Sequence, residues 1–266
     1  MILTTQNGIS FCRFQHLTNF VGIRHGIFFR TGGCSNNPFQ SLNIGFGLGD
    51  DDKNVERNRK RVAQCIDGQD FIYLKQIHGQ NIVVLSRSEG KAAPEFFKQP
   101  LIGDAVVTNI PDKFLVIQVA DCQSVLLHDP VGLAVANIHC GWRGSIKNII
   151  GRTLQTMETL FGCDPNDVLA GIGPSLGPCC AEFVNYKKEI PKAFWQYKDD
   201  NDFFDFWSVS YDQLLAAGVS AKNIESSRIC TKCNTDLFFS YRAEGTTGRF
   251  ATVIGLRDTS DGGAQL

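Results

Sequence analysis

Three residues of this chain carry side chains that bind soft divalent metals, in settings that could present them to a single ion. They are His78 in Gln76-Ile77-His78-Gly79, Cys122 in Val119-Ala120-Asp121-Cys122, and His139 in Ile138-His139-Cys140-Gly141-Trp142-Arg143-Gly144. Imidazole and thiolate suit Zn²⁺, and three protein ligands leave a fourth position for water or substrate, as in catalytic rather than structural zinc sites. The metal would deprotonate Cys122 and lower the pKa of bound water toward neutrality. The spacing is no standard local metal motif, so a second reading stands beside the first. In it Cys122 is a nucleophile, His139 or His78 its base, and Asp121 or Asp104 the group that orients the imidazole. Chelators would silence the first site and alkylation the second.

Two arginines are candidates for an anion. In a helix expected over residues 52–66, Val55, Val62 and Ile66 define the inward face, and Asn58 and Arg59 fall on the same stripe. A core-facing arginine is costly unless paired or bound to an anion, so Arg59 reads as an anion ligand or as half of a structural salt bridge. Arg143 follows His139 in a tight Gly-Trp-Arg-Gly turn at the start of another expected helix. There it could hold phosphate or carboxylate beside the metal, with Trp142 as an apolar wall, or serve only a helix-start salt bridge. Cys230-Thr231-Lys232-Cys233 has the spacing of a redox or zinc-knuckle motif, and Cys179-Cys180 would complete a Cys₄ set. Adjacent cysteines rarely point at one tetrahedral ion, so inert thiols are the plainer expectation for these four.

The elements that must position these residues follow from periodicity and turn signals. Residues 31–52, with Gly32-Gly33 and Gly45-Phe46-Gly47-Leu48-Gly49, read as a long irregular loop at the surface or facing a ligand. Asp50, Asp51 and Asp52 place negative charge at the N-terminus of the 52–66 helix, where the dipole favours it. Apolar runs at 71–74, 81–85, 103–108, 115–120, 125–127, 132–138 and 168–172 predict strands, and 249–256 predicts a closing alternating strand. A charged, proline-containing stretch at 86–100 reads as an exposed excursion. Ser145 could cap a helix with Ile146, Ile149, Ile150, Leu154, Met157 and Phe161 inward and Gly162 ending it, and further helices are expected over 180–188 and 211–217. Helices interspersed with strands predict an α/β or α+β arrangement layered around a central mixed sheet.

Composition narrows the partners. A chain of 266 residues, 43% apolar, can bury a full core as one large domain. A net charge of −1, with neither a basic stripe nor a polybasic run, argues against nucleic acid or an anionic membrane and for a small ligand. No apolar run approaches the roughly 20 residues of a membrane span, and the first residues lack the charged and apolar regions of a secretory signal. The ten cysteines are therefore expected to be reduced thiols in the cytoplasm.

The ordered set His78-Gly79, Ala120-Asp121-Cys122, His139-Cys140-Gly141-Trp142-Arg143-Gly144 and Gly173-Pro174-Ser175-Leu176-Gly177-Pro178-Cys179-Cys180 resembles the bacterial YfiH/YlmD family. Arg24-His25-Gly26, Asn43, Asn58-Arg59, Tyr241-Arg242 and Gly248-Arg249 extend the resemblance over most of the chain. This family is also called laccase-domain or polyphenol oxidase proteins, and is associated with purine nucleoside phosphorolysis. The resemblance implies a single catalytic domain over 1–266 with an α-β-β-α sandwich of mixed sheets, similar to cysteine-dependent deamidase toxins. It implies zinc on His78, Cys122 and His139, and Arg59, Arg143 and Asn43 as substrate or phosphate ligands. It further implies a cytoplasmic monomer or weak homodimer that cleaves adenosine, inosine and 5′-methylthioadenosine with phosphate, and adenosine deamination is attributed to some members. Hydrolytic editing of peptidoglycan precursors and a metal-dependent interaction module are alternatives. Two departures abut the ligands: Gln123-Ser124 stands where proline is usual two residues after the cysteine, and Cys140 where alanine is common. A multicopper laccase needs a blue-copper site and a histidine-rich trinuclear cluster, which five histidines cannot supply, although Cu²⁺ could take the three-ligand site adventitiously.

Overall fold

The computed structural model describes residues 1–86 and 101–258. The strands are β1 (Ile2–Gln6), β2 (Ile9–Arg13), β3 (Ile23–Phe28), β4 (Asp70–Lys75), β5 (Ile82–Leu85), β6 (Leu101–Ile102), β7 (Ala105–Thr108), β8 (Lys113–Val119), β9 (Gln123–Asp129), β10 (Ala134–Cys140), β11 (Leu169–Ile172), β12 (Ile224–Ser226) and β13 (Phe250–Leu256). The helices are α1 (Asp52–Ile66), α2 (Trp142–Ile146), α3 (Ile149–Phe161), α4 (Tyr186–Glu189), α5 (Phe206–Ala216) and α6 (Tyr241–Glu244). One mixed sheet has the order β1-β2-β3-β13-β8-β4-β6 and the other β12-β11-β9-β10-β7-β5.

The alternation along single strands shows how these sheets stack. In β8, Leu115, Ile117 and Val119 point into a core shared with Val106, Leu126 and Val135 of the second sheet. Its intervening Phe114 and Val116 pack outward with Val62, Cys65 and Ile66 of α1. On the far side, Val107, Leu127 and Ile138 meet Ile150, Leu154 and Met157 of α3 and Leu214 of α5. The layers are therefore helix, sheet, sheet, helix, and the expected α/β class with two mixed sheets holds. Asn137, fully buried on β10, ties the sheets together by donating to the carbonyls of Leu115 and Thr252 at 3.0 and 2.9 Å.

Burial on both faces also accounts for one misread pattern. The stretch at 249–256 was expected to alternate, yet every residue of β13 is buried, because one face meets the partner sheet and the other the α1 layer.

Helix α1 has the expected bounds, with the Asp51 side chain accepting from the Lys53 N–H at its start. The segment expected to begin at Ser145 is instead two helices. Lys147 ends the short α2, Asn148, in a left-handed conformation, caps α3 by accepting from the Gly151 N–H, and Gly162 closes α3 in the same left-handed region. Where a helix was expected over 180–188, only α4 is helical, while the 211–217 helix begins earlier, at a cap supplied by Asp205. The strands β1, β2, β3, β6 and β12 are not among those expected from the sequence. Apart from Ser86, the excursion at 86–100 lies outside the described residues. No helix among the described residues is long and apolar enough to cross a membrane.

Candidate metal centre

His78, Cys122 and His139 converge where the chain passes from one sheet to the other. After β4 the chain is pinned by Gln76, whose side chain accepts from the Gln118 N–H and donates to the Gln118 carbonyl, both at 2.9 Å. His78 follows in the left-handed region, φ 56°. Cys122 lies in the turn joining β8 of the first sheet to β9 of the second, just after Asp121, which also has positive φ. His139 is the penultimate residue of β10.

Asp104, wholly buried beside β7, holds this assembly together. One carboxylate oxygen accepts from His139 Nδ1 at 2.8 Å and the His78 N–H at 2.9 Å, and the other accepts from the Gly79 N–H at 2.7 Å. Burial opposes a charge on Asp104, but His139 and the N–H groups of Gly79 and His78 outweigh it and hold the carboxyl below its ordinary range. Fixing Nδ1 in this way leaves His139 Nε2 for a metal, the usual way a carboxylate orients a ligating histidine.

The three ligand atoms lie within 4.8 Å of one another, with Cys122 Sγ 3.8 Å from His78 Nε2 and the two imidazoles edge-on at 4.8 Å between centroids. Gly141 makes the convergence possible: a Cβ there would lie 3.0 Å from His78 Cδ2 and 3.4 Å from Cys122 Sγ. Burial alone would raise the Cys122 thiol, yet His139 and His78 bring it down to about 6. Burial likewise opposes protonation of His139, but the Cys122 sulfur and Asp104 raise it to about 9. Each group thus favours the charged form of the other, a thiolate beside an imidazolium, and a soft divalent cation would take the place of the shared proton. The donors fit zinc. Cys140, its thiol pushed up to about 12 chiefly by burial, is not among the three residues whose ligand atoms converge. The remaining histidines lie elsewhere: His16 pairs with Glu225, His25 accepts from the Phe14 N–H, and His128 is buried against the Ala134 carbonyl.

The trio opens onto a cleft of about 940 Å³. Three arginines line it, and among the described residues none forms an ion pair with a carboxylate. Arg59 donates to the Ile44 carbonyl at 2.9 Å and is stacked between Phe46 and Tyr73, 4.3 and 3.7 Å from their centroids. Arg249 donates to the carbonyls of Thr247 and Gly248, and Arg242 to those of Cys180 and Glu182. Neutral carbonyls position these guanidiniums without cancelling their charge, which is how an anion site is prepared. Asp121 builds the same wall: its carboxylate accepts from Thr231, Ser240 and the Arg242 N–H, and its carbonyl from the Leu176 N–H.

Two expected ligands are not brought to the cleft. Arg143 is exposed on α2, stacked 4.2 Å over Trp142, and is not among the residues that line the cleft, although Trp142 is. Asn43 is fully buried with its amide spent on the loop: it donates to Asp50 and Gly45 and accepts from the N–H groups of Gly45 and Arg249. It shapes the glycine-rich loop, whose Gly45, Phe46 and Leu48 do reach the cleft. Arg242 and Arg249 had been noted only as part of a motif. Their missing carboxylate partners, the signal that marks them, are visible only in three dimensions. Gln123, a departure from the family pattern, lines the cleft, donates to Ser175 and accepts from Ser210.

Residues 24–257 match the family described as multi-copper polyphenol oxidoreductase laccase. The chain belongs to this family. Among laccase-domain relatives, purine nucleoside phosphorylase YlmD of Geobacillus stearothermophilus is 32% identical over 252 residues, covering 90% of this chain and 92% of that one. Purine nucleoside phosphorylase YfiH of Escherichia coli is 32% identical over 236 residues, covering 85% and 91% respectively. The crystal structure of YlmD from Geobacillus stearothermophilus superposes with a TM-score of 0.83 at 31% identity, covering 97% of this chain and 99% of that one.

Proposed function

We propose that this protein is a zinc-dependent purine nucleoside phosphorylase acting on adenosine, inosine and 5′-methylthioadenosine. The observation that carries the reading is the pairing of a three-ligand metal site with carboxylate-free arginines in one cleft. The names of its relatives support the same activity. A cleft of about 940 Å³ lies near the top of the roughly 300–1,000 Å³ typical of small-molecule sites, which leaves room for nucleoside and phosphate together.

Phosphorolysis exchanges the C1′–N9 bond for a C1′–O bond to phosphate through an oxocarbenium-like state; the proton of hydrogen phosphate ends on the departing base, giving free base and ribose 1-phosphate, or 5-methylthioribose 1-phosphate from 5′-methylthioadenosine. Arg59, Arg242 and Arg249 would hold the phosphate dianion and keep it oriented as positive charge grows on the sugar. Phe46, Trp142 and Phe183 supply apolar surface for the planar base. His78, Cys122 and His139 would hold the zinc, with Asp104 fixing His139 and the loop of His78; a bound ion would supply Lewis acidity. A multicopper oxidase reading lacks ligands, since His16, His25 and His128 are engaged outside the cleft.

The test incubates metal-quantified protein with adenosine in phosphate buffer and in phosphate-free buffer, resolving adenine from inosine. Adenine with ribose 1-phosphate, formed only when phosphate is present, is the expected result. Inosine in both buffers would replace phosphorolysis with zinc-assisted deamination. Neither product would overturn the reading and favour a peptidoglycan-precursor hydrolase or a metal-dependent interaction module.

A further inference from the structure

A second cluster of metal-binding side chains lies apart from the three-ligand trio. The parallel pair β11 and β12 continues into a bridge between Ser175 and Cys230, with Ser175 donating to the Ile229 carbonyl and Thr231 to the Ser175 carbonyl. Just beyond the bridge both chains turn, one through the Cys180 N–H to the Gly177 carbonyl and the other through the Asn234 N–H to the Thr231 carbonyl. The turns bring together Cys179, Cys180, Cys230 and Cys233, whose sulfur atoms all lie within 4.8 Å of one another. The adjacent cysteines, expected to diverge, both approach Cys233, Cys179 at 3.6 Å and Cys180 at 3.5 Å.

Sulfurs about 2.3 Å from a tetrahedral zinc stand about 3.8 Å from one another, close to these separations. A disulfide would require about 2.05 Å, and all four cysteines are free. The buried Cys230 sulfur also accepts the Gly177 N–H at 3.3 Å, a backbone donor of the kind that steadies a ligating thiolate. We propose that Cys179, Cys180, Cys230 and Cys233 form a second, structural zinc site with four thiolate ligands. With all four positions filled by protein it offers no place for substrate, and the all-sulfur donor set selects zinc over magnesium or calcium.

The site clamps two segments of the cleft wall. One carries Ser175, Leu176 and Phe183, and the other leads to Arg242, whose guanidinium rests on the Cys180 and Glu182 carbonyls. The metal would thus hold in register the wall that presents Arg242.

Metal content separates this site from the first. Full-length protein purified under reductant is expected to hold two zinc ions per chain, Cys122→Ala one, and the Cys179→Ser/Cys233→Ser double variant one. Both substituted residues of the double variant are exposed, so the core is untouched. Co²⁺ added to metal-stripped Cys122→Ala is expected to give thiolate-to-cobalt charge-transfer absorption and the strong visible bands of a tetrahedral sulfur site. The proposal is overturned if Cys122→Ala supplied with Zn²⁺ alone retains no metal and shows no cobalt–thiolate bands. It is equally overturned if intact mass without reductant shows these cysteines paired as disulfides in freshly isolated protein. Loss of zinc only from Cys122→Ala, with the double variant unchanged from wild type, would leave the first site standing and remove the second.

Discussion

Replacing Asp104 with asparagine removes one charge and one acceptor from a carboxylate that receives N–H groups of Ile77, His78 and Gly79 together with His139 Nδ1. Whichever way the new amide turns, its NH₂ faces a backbone or imidazole donor, because both carboxylate oxygens are engaged. Hydrogen bonds to a charged group are worth about 1.5–3 kcal/mol each. Losing one and weakening the others should destabilise the fold by roughly 2–4 kcal/mol, within the range for breaking a buried polar network. The larger effect falls on the metal, since the His139 ring and the His78 loop both lose their anchor. Removing such a partner typically lowers metal affinity 10–100-fold. The assay is competition against a chromophoric chelator for zinc affinity, paired with urea unfolding of metal-stripped wild type and Asp104→Asn. Wild-type zinc affinity in a variant whose unfolding midpoint has fallen would refute the reasoning, because Asp104 would then support the fold without orienting the ligands.

Two further outcomes are expected. In metal-stripped protein, iodoacetamide labelling of Cys122, followed by peptide mass mapping, should rise with pH around a midpoint near 6, because the reactive thiolate forms as pH climbs through the depressed value; a midpoint near that of an ordinary thiol would show that His139 and His78 do not share its proton. Arg59→Gln should raise the KM for phosphate roughly ten- to a hundredfold, the loss of one charged hydrogen bond, with a smaller effect on nucleoside KM. The opposite split would place Arg59 on the nucleoside.

Local signals carried much of the chain. The bounds of α1 follow from aspartates before an amphipathic run, and the existence, though not the bounds, of β8, β9 and β10 from dense β-branched and apolar runs, because capping and periodicity act over a few residues. His78, Cys122 and His139 are legible as candidate metal ligands from residue type, turn context and the family resemblance, and folding brings their ligand atoms within 4.8 Å of one another. Tertiary structure decided the rest. Whether Arg59 meets a carboxylate and whether Asn43 is free for substrate depend on distant partners, Tyr73 and Arg249, and the placement of Arg143 on how the short α2 sits against the cleft. Asp104 stood out weakly in sequence as one of two carboxylates able to orient an imidazole, and only folding aligned it with Nδ1 of His139. The four cysteines show the division most plainly. Sequence supplies the thiols and their two-residue spacing, but a parallel strand pairing between segments far apart in the chain sets their mutual distance, and no local rule contains that pairing.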